Sequence, residues 1–495
     1  MKHVAVIGSG ASGLAAAFAA AQGGARVSVY EAHDKLGGTT ALSGGNAWLP
    51  AHAALEDDTP ELALAYLRKL ALGDADDEML EVFAREAGPA AERLQRDTPV
   101  RLQSVPYCDY HAEFEGGREQ GGRTLEPQPY DPTDEVRELL RDAPNVLGPV
   151  TYVELSTGTL DRELLAERRA KGTITLGRAL LAGLLQACLD LGVDIYPGTR
   201  LRELPDADAV VLATGGFERD PELAKHFLRG PMLGPVGAPT ARGDGLRMAI
   251  GAGAQLGNMS EAWWCPAISV PGETIDGAPM FRLILAERAR PGTLIVDGGG
   301  RRFVNEAQNY NDLGRTLQNF NPAEFRFPHV PAWMIFDNAV RTGYRLGPLG
   351  RRDPDPDWLI RGETVAELAR GIEIEPAILE ATVERFNAGA SAGEDPDFGR
   401  GSYPYDRFIG RLGALGDGPY FAVAVLPGCL STKGGAKTDA DGRVLSIADG
   451  QPIPGLYAAG NVSASCYGMA YPGAGGTLGP ALTFGLRAGD AAAAD

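Results

Sequence analysis

Gly8-Ser9-Gly10-Ala11-Ser12-Gly13 places glycines at the spacing of a phosphate-binding turn, and Glu31 lies 18 residues beyond the last of them. The first glycine of such a run makes the turn, the second lets a pyrophosphate approach the backbone, and the third lets helix and strand pack closely. A helix opening there would aim free amides and the positive end of its dipole at the phosphate. The acid would take a ribose hydroxyl. A second polar run, Leu36-Gly37-Gly38-Thr39-Thr40-Ala41-Leu42-Ser43-Gly44-Gly45, follows the acid. Its amides and hydroxyls would hold a diphosphate and line a flavin, or would simply make a turn. The glycine motif alone does not separate FAD from NAD.

The elements around these residues are the ones the chemistry requires. Val4-Ala5-Val6-Ile7 is a short apolar run suited to a buried parallel strand. An Ala-rich helical stretch continues to about Gln22, Gly23-Gly24 ends it, and Arg26 to Glu31 reads as the next strand. Thr59-Pro60-Glu61 is a helix start, with Thr as N-cap and Pro at the first helical position. Helical patterns run from there to about Leu70 and from about Asp77 to Gln95. The stretch from Tyr107 to Pro132 reads as a long loop, which in a compact protein is usually functional or disordered. Gly177 to Leu191 is an amphipathic helix, followed by a strand at Val193 to Tyr196. Ala209-Val210-Val211-Leu212-Ala213-Thr214-Gly215-Gly216 is a second buried strand ending in a glycine turn. Gly243-Asp244-Gly245 opens another helix, to about Ala252. Leu294 to Asp297 followed by Gly298-Gly299-Gly300 reads as a hairpin. Val365 to Arg370 and Pro376 to Asn387 read as paired helices. Gly455 to Asn461 is one more strand-to-turn element, and Thr477 onward is mostly helical. Nucleotide-binding elements thus occur near both ends. The fold class this predicts is α/β: a Rossmann-type domain interrupted by an inserted α+β domain.

Composition agrees and excludes alternatives. With 44% hydrophobic and 22% charged residues among 495, a large core can be buried and wholesale disorder is ruled out. The 66 glycines are about twice the usual share, and without a collagen-like period they must serve turns and close backbone contacts. A formal charge of −19 is the wrong sign for a nucleic-acid partner. The five cysteines form no CxxC pair, so neither a disulfide framework nor a metal site is implied, and a reducing compartment fits best. No signal peptide, twin-arginine leader or membrane-spanning run is expected, which makes the cytoplasm the expected location.

Several further runs carry a resemblance: Gly37 to Gly44, Leu212-Ala213-Thr214-Gly215-Gly216, Arg302-Phe303-Val304-Asn305-Glu306 followed by Tyr310, Thr432-Lys433-Gly434-Gly435, Gly455 to Asn461, and Tyr471-Pro472-Gly473-Ala474-Gly475. Over nearly its whole length the chain resembles the fumarate reductase/succinate dehydrogenase flavoprotein superfamily. Within it, the chain is most similar to the 3-ketosteroid Δ1-dehydrogenases. The resemblance implies bound FAD, an FAD-binding domain over 1–270 and 433–495, and a catalytic domain over 271–432. It implies cofactor contacts at Gly8, Gly10, Ala11, Ser12, Gly13, Glu31 and Ala32, and at Gly38, Thr39, Thr40, Ser43, Gly44 and Gly45. It extends them to Ala213, Thr214, Gly215, Gly243, Asp244 and Asn305, and finally to Gly460, Asn461, Gly476, Thr477 and Leu478. Tyr310 matches the tyrosine of the family's Asn-Glu-x-x-x-Tyr pattern. Tyr471 and Gly475 match the ends of Tyr-Pro-Gly-x-Gly, and Tyr110, after Asp109, matches the tyrosine of the N-terminal loop. The family's usual β-meander before the Ala-Thr-Gly-Gly strand is cut away here, because Thr199 to Leu204 leads almost directly to Asp208. No His occurs near Thr39 to Gly44, where respiratory members link their flavin, so FAD is expected to be non-covalent.

The implied reaction is trans-elimination of hydrogen from the carbons α and β to a ring ketone. It needs a stabilised carbonyl oxygen, a base for the α-proton and a hydride acceptor. Preorganised donors at a developing oxyanion are each worth roughly 3–4 kcal/mol in a water-poor site. The Tyr471 hydroxyl and the Gly475 amide are the expected pair. Tyr310 is the expected base. A phenol of pKa about 10 is a poor base, so Tyr110 is its expected helper and the activity optimum should be alkaline. A packing role is the commoner fate of any single tyrosine. His52 and His111 are candidate acids or ordinary loop histidines. Asn305 and Glu306 brace their loop or contact the flavin. Arg288 and Arg290 hold a carboxylate or, more in keeping with their setting, serve structure. Trp48, Trp263 and Trp264 line an apolar pocket or the core. The expected partners are a small apolar cyclic ketone, with a steroid as the leading reading, and an external electron acceptor. The rivals are the same desaturation on a cyclohexanone or oxocyclohexanecarboxylate, a steroid Δ4-(5α)-dehydrogenase, a fumarate reductase-like enoate reductase, and a flavin-bearing subunit without its own substrate.

Overall fold

The computed structural model describes residues 1–143 and 148–495. The apolar run at the start forms the strand His3–Ile7, which pairs in parallel with Arg26–Tyr30 on one side and Ala209–Leu212 on the other. Asp194–Tyr196 and Pro452–Ala458 extend this parallel sheet outward, and Arg443–Leu445 closes it as an antiparallel edge. Ala5, Ile7, Val210, Leu212, Leu456 and Ala458 share one core with Met248 and Ala249 of the helix Asp244–Gly251. The helix Ala11–Gln22 is buried from Ala11 to Ala20 and packs on Leu478–Ala494. The two approach to backbone contact: a Cβ on Gly489 would stand 2.2 Å from Ala16 O. Small residues on both helices allow that approach.

The chain divides into two compact units. The first comprises Met1–Phe227, Gly237–Ala262 and Ser431–Asp495; the second comprises Leu228–Val236 and Trp263–Leu430. The first break falls after Ala262 rather than near 270, and a short piece before Gly237 joins the second unit. That unit is built on an antiparallel sheet in which Ala332–Phe336 lies between Thr293–Asp297 and Tyr420–Thr432. Alternate residues face two separate cores. Ile295, Met334, Phe336, Phe421 and Val423 enter one. Leu294, Val296, Ile335 and Ala422 enter the other, under the helices Val365–Gly371 and Pro376–Ala392. This is the period of two expected of a sheet buried on both faces.

Two local expectations change. Tyr107 to Pro132 is not loop throughout: Thr124–Pro127 is the central strand of a small sheet between Ala47–Trp48 and Leu102–Ser104. Its buried Glu126 disguised it, since the carboxylate is absorbed by the backbone amides of Tyr152 and Val153. The Leu294–Asp297 run does not make a ladder with the residues just after its glycines. Only a single bridge, Val296 to Arg302, forms there, and the full partner is Ala332–Phe336. Between Asp194–Tyr196 and Ala209–Leu212 no strand intervenes, as the short sequence there requires.

Candidate active site

The glycine turn shows why its residues are glycines. Gly8 has φ +107°, and a Cβ there would sit 2.3 Å from Ala213 O. A Cβ on Gly13 would sit 2.0 Å from Gly8 O. Neither position admits a side chain. The helix that follows has no side-chain cap from Gly10 and no acid in its first turn; its first amide, Ala11 N, donates to Thr40 Oγ1 at 3.1 Å, and the positive end of its dipole favours an anion there. Glu31 is buried and accepts from Ser9 N at 3.1 Å, Ser9 Oγ at 2.6 Å and His33 N at 2.9 Å. A carboxylate has about four lone-pair sites, so Oε1 keeps acceptor capacity for a sugar hydroxyl.

These residues open into one cleft within the first unit. Of the expected cofactor residues, the cleft is lined by Gly8, Gly10, Ala11, Ser12, Glu31, Ala32, Gly38, Thr39 and Thr40. Ala213, Thr214, Gly215, Asp244, Gly460, Asn461, Thr477 and Leu478 complete that set. At Gly38 and Gly215 a Cβ would project into empty space, with nothing within 4 Å. The cleft therefore fits a dinucleotide: glycine walls, a helix start with no acid in its first turn and an acid with a free lone pair.

The remaining cofactor candidates lie outside this lining, and most shape it. Gly13 seals the turn. Ser43 Oγ donates to Thr40 O at 2.8 Å and accepts from Gly45 N at 3.1 Å, which builds the bend. Gly44 lies against the Tyr152 ring, and Gly45 against the Leu176–Gly177 backbone. Gly243 caps its helix with φ +72°. Gly476 N donates to Gly473 O at 3.0 Å.

Tyr110 and Tyr471 come together in the first unit. Both are buried, and their ring centroids are 5.3 Å apart. The Tyr471 hydroxyl is 3.3 Å from Thr477 Oγ1, at the start of the helix Leu478–Ala494. Gly475 has φ +91°, and a Cβ there would meet Ala47 N and the Asn46 carbonyl at 2.6 Å. Its carbonyl accepts from Trp48, Leu478 and Gly479, while its own N–H donates to none of the described residues. The loop between is held at each carbonyl. Pro472 O accepts from Tyr66 Oη at 2.7 Å and from Tyr110 N at 3.1 Å. Ala474 O accepts from Thr124 Oγ1 at 2.8 Å.

Behind this loop lies a buried ionic cluster. Arg123 donates to Asp58 at 2.6 and 2.9 Å and to Asp109 at 2.9 Å, all three side chains being essentially inaccessible to water. The Arg123 guanidinium stands 5.5 Å from the Trp48 ring and 5.7 Å from the Tyr66 ring. Burial pushes the Asp109 carboxyl up to about 6 against the pull of Arg123 and of the Trp48 indole N–H. Burial, reinforced by Asp109, holds the Tyr66 phenol well above its ordinary range.

In the second unit, Tyr310 is buried at the first position of the helix Tyr310–Thr316, whose N-cap Asn309 accepts from Asp312 N. Asn305 proves to be a brace: its Nδ2 donates to Asp406 at 2.8 Å and its Oδ1 accepts from Ala307 N at 2.9 Å. A buried amide so engaged braces its own loop. Glu306 is likewise taken by Arg302, Arg400 and Ile295 N. Arg288 donates to the carbonyls of Glu306 and Ile284, and Arg290 stacks on Tyr344 at 4.3 Å. Trp263 and Trp264 are buried here. In the first unit, His52 contacts Gly122 O at 2.9 Å, and His111 pairs with Glu113 at 3.0 Å. Sequence reasoning missed Thr199, Arg200, Leu201, Ala238, Thr240 and Ala241 in the cleft, and Asp58, Tyr66 and Arg123 behind the tyrosines. No local motif marks them, although Asp109 was already noted beside Tyr110.

A family model described as FAD binding domain matches residues 3–207 and 205–478. A 4-oxocyclohexanecarboxylate 2-dehydrogenase of Sinomonas cyclohexanicum is 39% identical, covering 98% of this chain and 92% of its own. A 3-oxosteroid 1-dehydrogenase of Mycobacterium tuberculosis (strain ATCC 25618 / H37Rv) is 35% identical, covering 98% and 97%. The crystal structure of 3-ketosteroid delta1-dehydrogenase from Sterolibacterium denitrificans in complex with 1,4-androstadiene-3,17-dione superposes with a TM-score of 0.90 at 34% identity, covering all of both chains. With a cleft that fits a dinucleotide and similarity along its whole length, the chain belongs to the FAD binding domain family and is an FAD-dependent oxidoreductase acting on CH–CH groups, related to the 3-oxosteroid 1-dehydrogenases and to the oxocyclohexanecarboxylate dehydrogenases.

Proposed function

We propose that the protein desaturates a ring ketone between its α and β carbons, with a 3-oxosteroid as substrate and the new double bond in ring A. The observation that carries the reading is the placing of Tyr471 on one clamped loop with a glycine of positive φ whose N–H donates to none of the described residues. The ketone oxygen would accept from Tyr471 Oη and Gly475 N, which stabilise the charge that develops there as the α-proton leaves. Tyr310 takes that proton. Tyr110, whose ring centroid lies 5.3 Å from that of Tyr471, is the helper this reading assigns to Tyr310, sharing the proton that a phenol alone takes poorly. FAD, when bound, would supply the hydride acceptor for the β-carbon and would be held without a covalent link, with an external electron acceptor as the reaction's second partner. The cofactor would lie along the cleft, with its pyrophosphate at the Ala11 helix start and a ribose at Glu31. Asp244, Asn461 and Thr477 would contact it further along.

The relative at 39% identity favours a second reading, in which the substrate is a smaller ring ketone of the oxocyclohexanecarboxylate type. Only the ketone and its two neighbouring carbons enter the reaction, so the same residues serve either. Anaerobic mixing of the yellow protein with androst-4-ene-3,17-dione, 4-oxocyclohexanecarboxylate or cyclohexanone tests both. Fast bleaching by the steroid supports the first reading, bleaching by a monocyclic ketone alone supports the second, and a flavin unmoved by all three refutes ring-ketone desaturation.

A further inference from the structure

We infer that Lys433 is a positioning residue of the ketone site, setting both the place and the acidity of the Tyr471 phenol. The inference rests on the ring-ketone reading above. Lys433 belongs to the Thr432-Lys433-Gly434-Gly435 run, to which that reading gives no role. The residue is 1% exposed. Its Nζ donates to Met469 O and to Ala470 O, each at 2.7 Å. These are the carbonyls immediately before Tyr471. The same Nζ stands 5.9 Å from the centroid of the Tyr471 ring.

The backbone of Lys433 is pinned in turn. Its N–H donates to Glu261 O at 2.9 Å, and its carbonyl accepts from Ser465 N at 3.0 Å. Next to it, a Cβ on Gly434 would stand 2.5 Å from Met259 Cα. A fixed anchor therefore grips the entry of the tyrosine loop, as Tyr66, Thr124 and Trp48 grip its exit. The grip has two effects on chemistry. It fixes the hydroxyl against a shift of an ångström, which can cost about 10²-fold in rate. It also places an ammonium beside the ring, and a nearby cation favours the charged form of an acid. A phenol made more acidic donates more strongly to an oxyanion than to a neutral ketone, so the gain appears mainly in the transition state.

The test is Lys433→Met, with Lys433→Arg as the conservative partner and Lys433→Gln in reserve should the Met variant not fold. Each is assayed as the FAD-loaded full chain. Lys433→Met should lower kcat by about 10²-fold with little change in KM, as loss of a transition-state interaction does. Binding of 4-nitrophenolate, an oxyanion probe read from the flavin spectrum, should weaken about tenfold or more, while binding of the neutral ketone holds. Lys433→Arg should restore both to within about tenfold of the parent. A Met or Gln variant with parental kcat overturns the inference. So does an equal loss of phenolate and ketone binding, which marks a purely structural role, and so does failure of both the Met and Gln variants to fold. If the parent protein itself desaturates no ring ketone, the functional reading fails instead, a result distinct from any of these.

Discussion

Tyr471 and Gly475 are four positions apart and respond differently to substitution. Tyr471→Phe keeps the ring that packs at 5.3 Å on Tyr110 and removes one oxygen. The expected result is a folded, flavin-loaded protein with kcat lowered by about 10²–10³-fold, the usual loss for one oxyanion donor. Gly475→Ala must move backbone, because its Cβ would stand 2.6 Å from Ala47 N at a φ of +91°; turnover and flavin retention should fall together. Tyr310→Phe should lower turnover by about 10²–10⁴-fold, the range for general-base loss. Flavin absorbance and ligand affinity should remain, and a near-parental rate removes Tyr310 as the base. With a phenol as the proposed base, the kcat profile should rise toward alkaline pH.

At the scale of elements, the tyrosine loop depends on a cluster that looks in sequence like part of a polar loop. Arg123 holds Asp58 and Asp109 with all three buried. Arg123→Met leaves two buried carboxylates without their cation, and losses of about 3–5 kcal/mol follow such a deletion; urea unfolding should show it, with activity lost at lower urea than in the parent. Asp109, raised by burial to about 6, and Glu218, raised by burial to about 7, give the protein a pH signature. In the folded state each keeps its proton over a range where the unfolded chain has released it. The stabilisation from these protons is complete below the ordinary carboxylate pKa of about 4 and is lost as pH rises through about 6 and 7. Asp109→Asn with Glu218→Gln should flatten the fall in unfolding midpoint between pH 5 and 8, and an unchanged slope would falsify the assignment.

For the whole molecule, the cofactor is the main lever. A ligand bound only to the native state stabilises it by about 2.7 kcal/mol at a hundredfold excess over its Kd, so removal of FAD should lower Tm and re-addition restore it. Acid precipitation should release the yellow chromophore into the supernatant. Colour retained on the denatured protein would show a covalent link, contrary to the absence of His between Thr39 and Gly44. Among the described residues no helix is long and apolar enough to cross a membrane. Substrate size belongs to this scale as well: under the proposed function it would be set by the room beyond the ketone rather than by the residues proposed to hold its oxygen.

What the sequence determined by itself was local. The run from Val4 to Glu31 forms strand, turn, helix and strand because each step depends on neighbours a few residues away: apolar residues for a buried strand, glycines where the turn has no room for Cβ, alanines for a buried helix. The helix at Pro60–Ala71 was legible from Thr59 and Pro60 for the same reason. What only the tertiary structure decided was which distant groups share a low-dielectric interior. Arg123 and Glu126 read as loop charges until the fold brought Asp58, Asp109 and the Tyr152 and Val153 amides to them. Asn305 carries a family motif yet spends its amide on Asp406, a residue far along the chain. Lys433 sits in a recognisable glycine run, but its partners at Met469 and Ala470 were invisible there. Pairings of this kind depend on where the chain returns, and burial of a polar group is permitted only where that return supplies its partner.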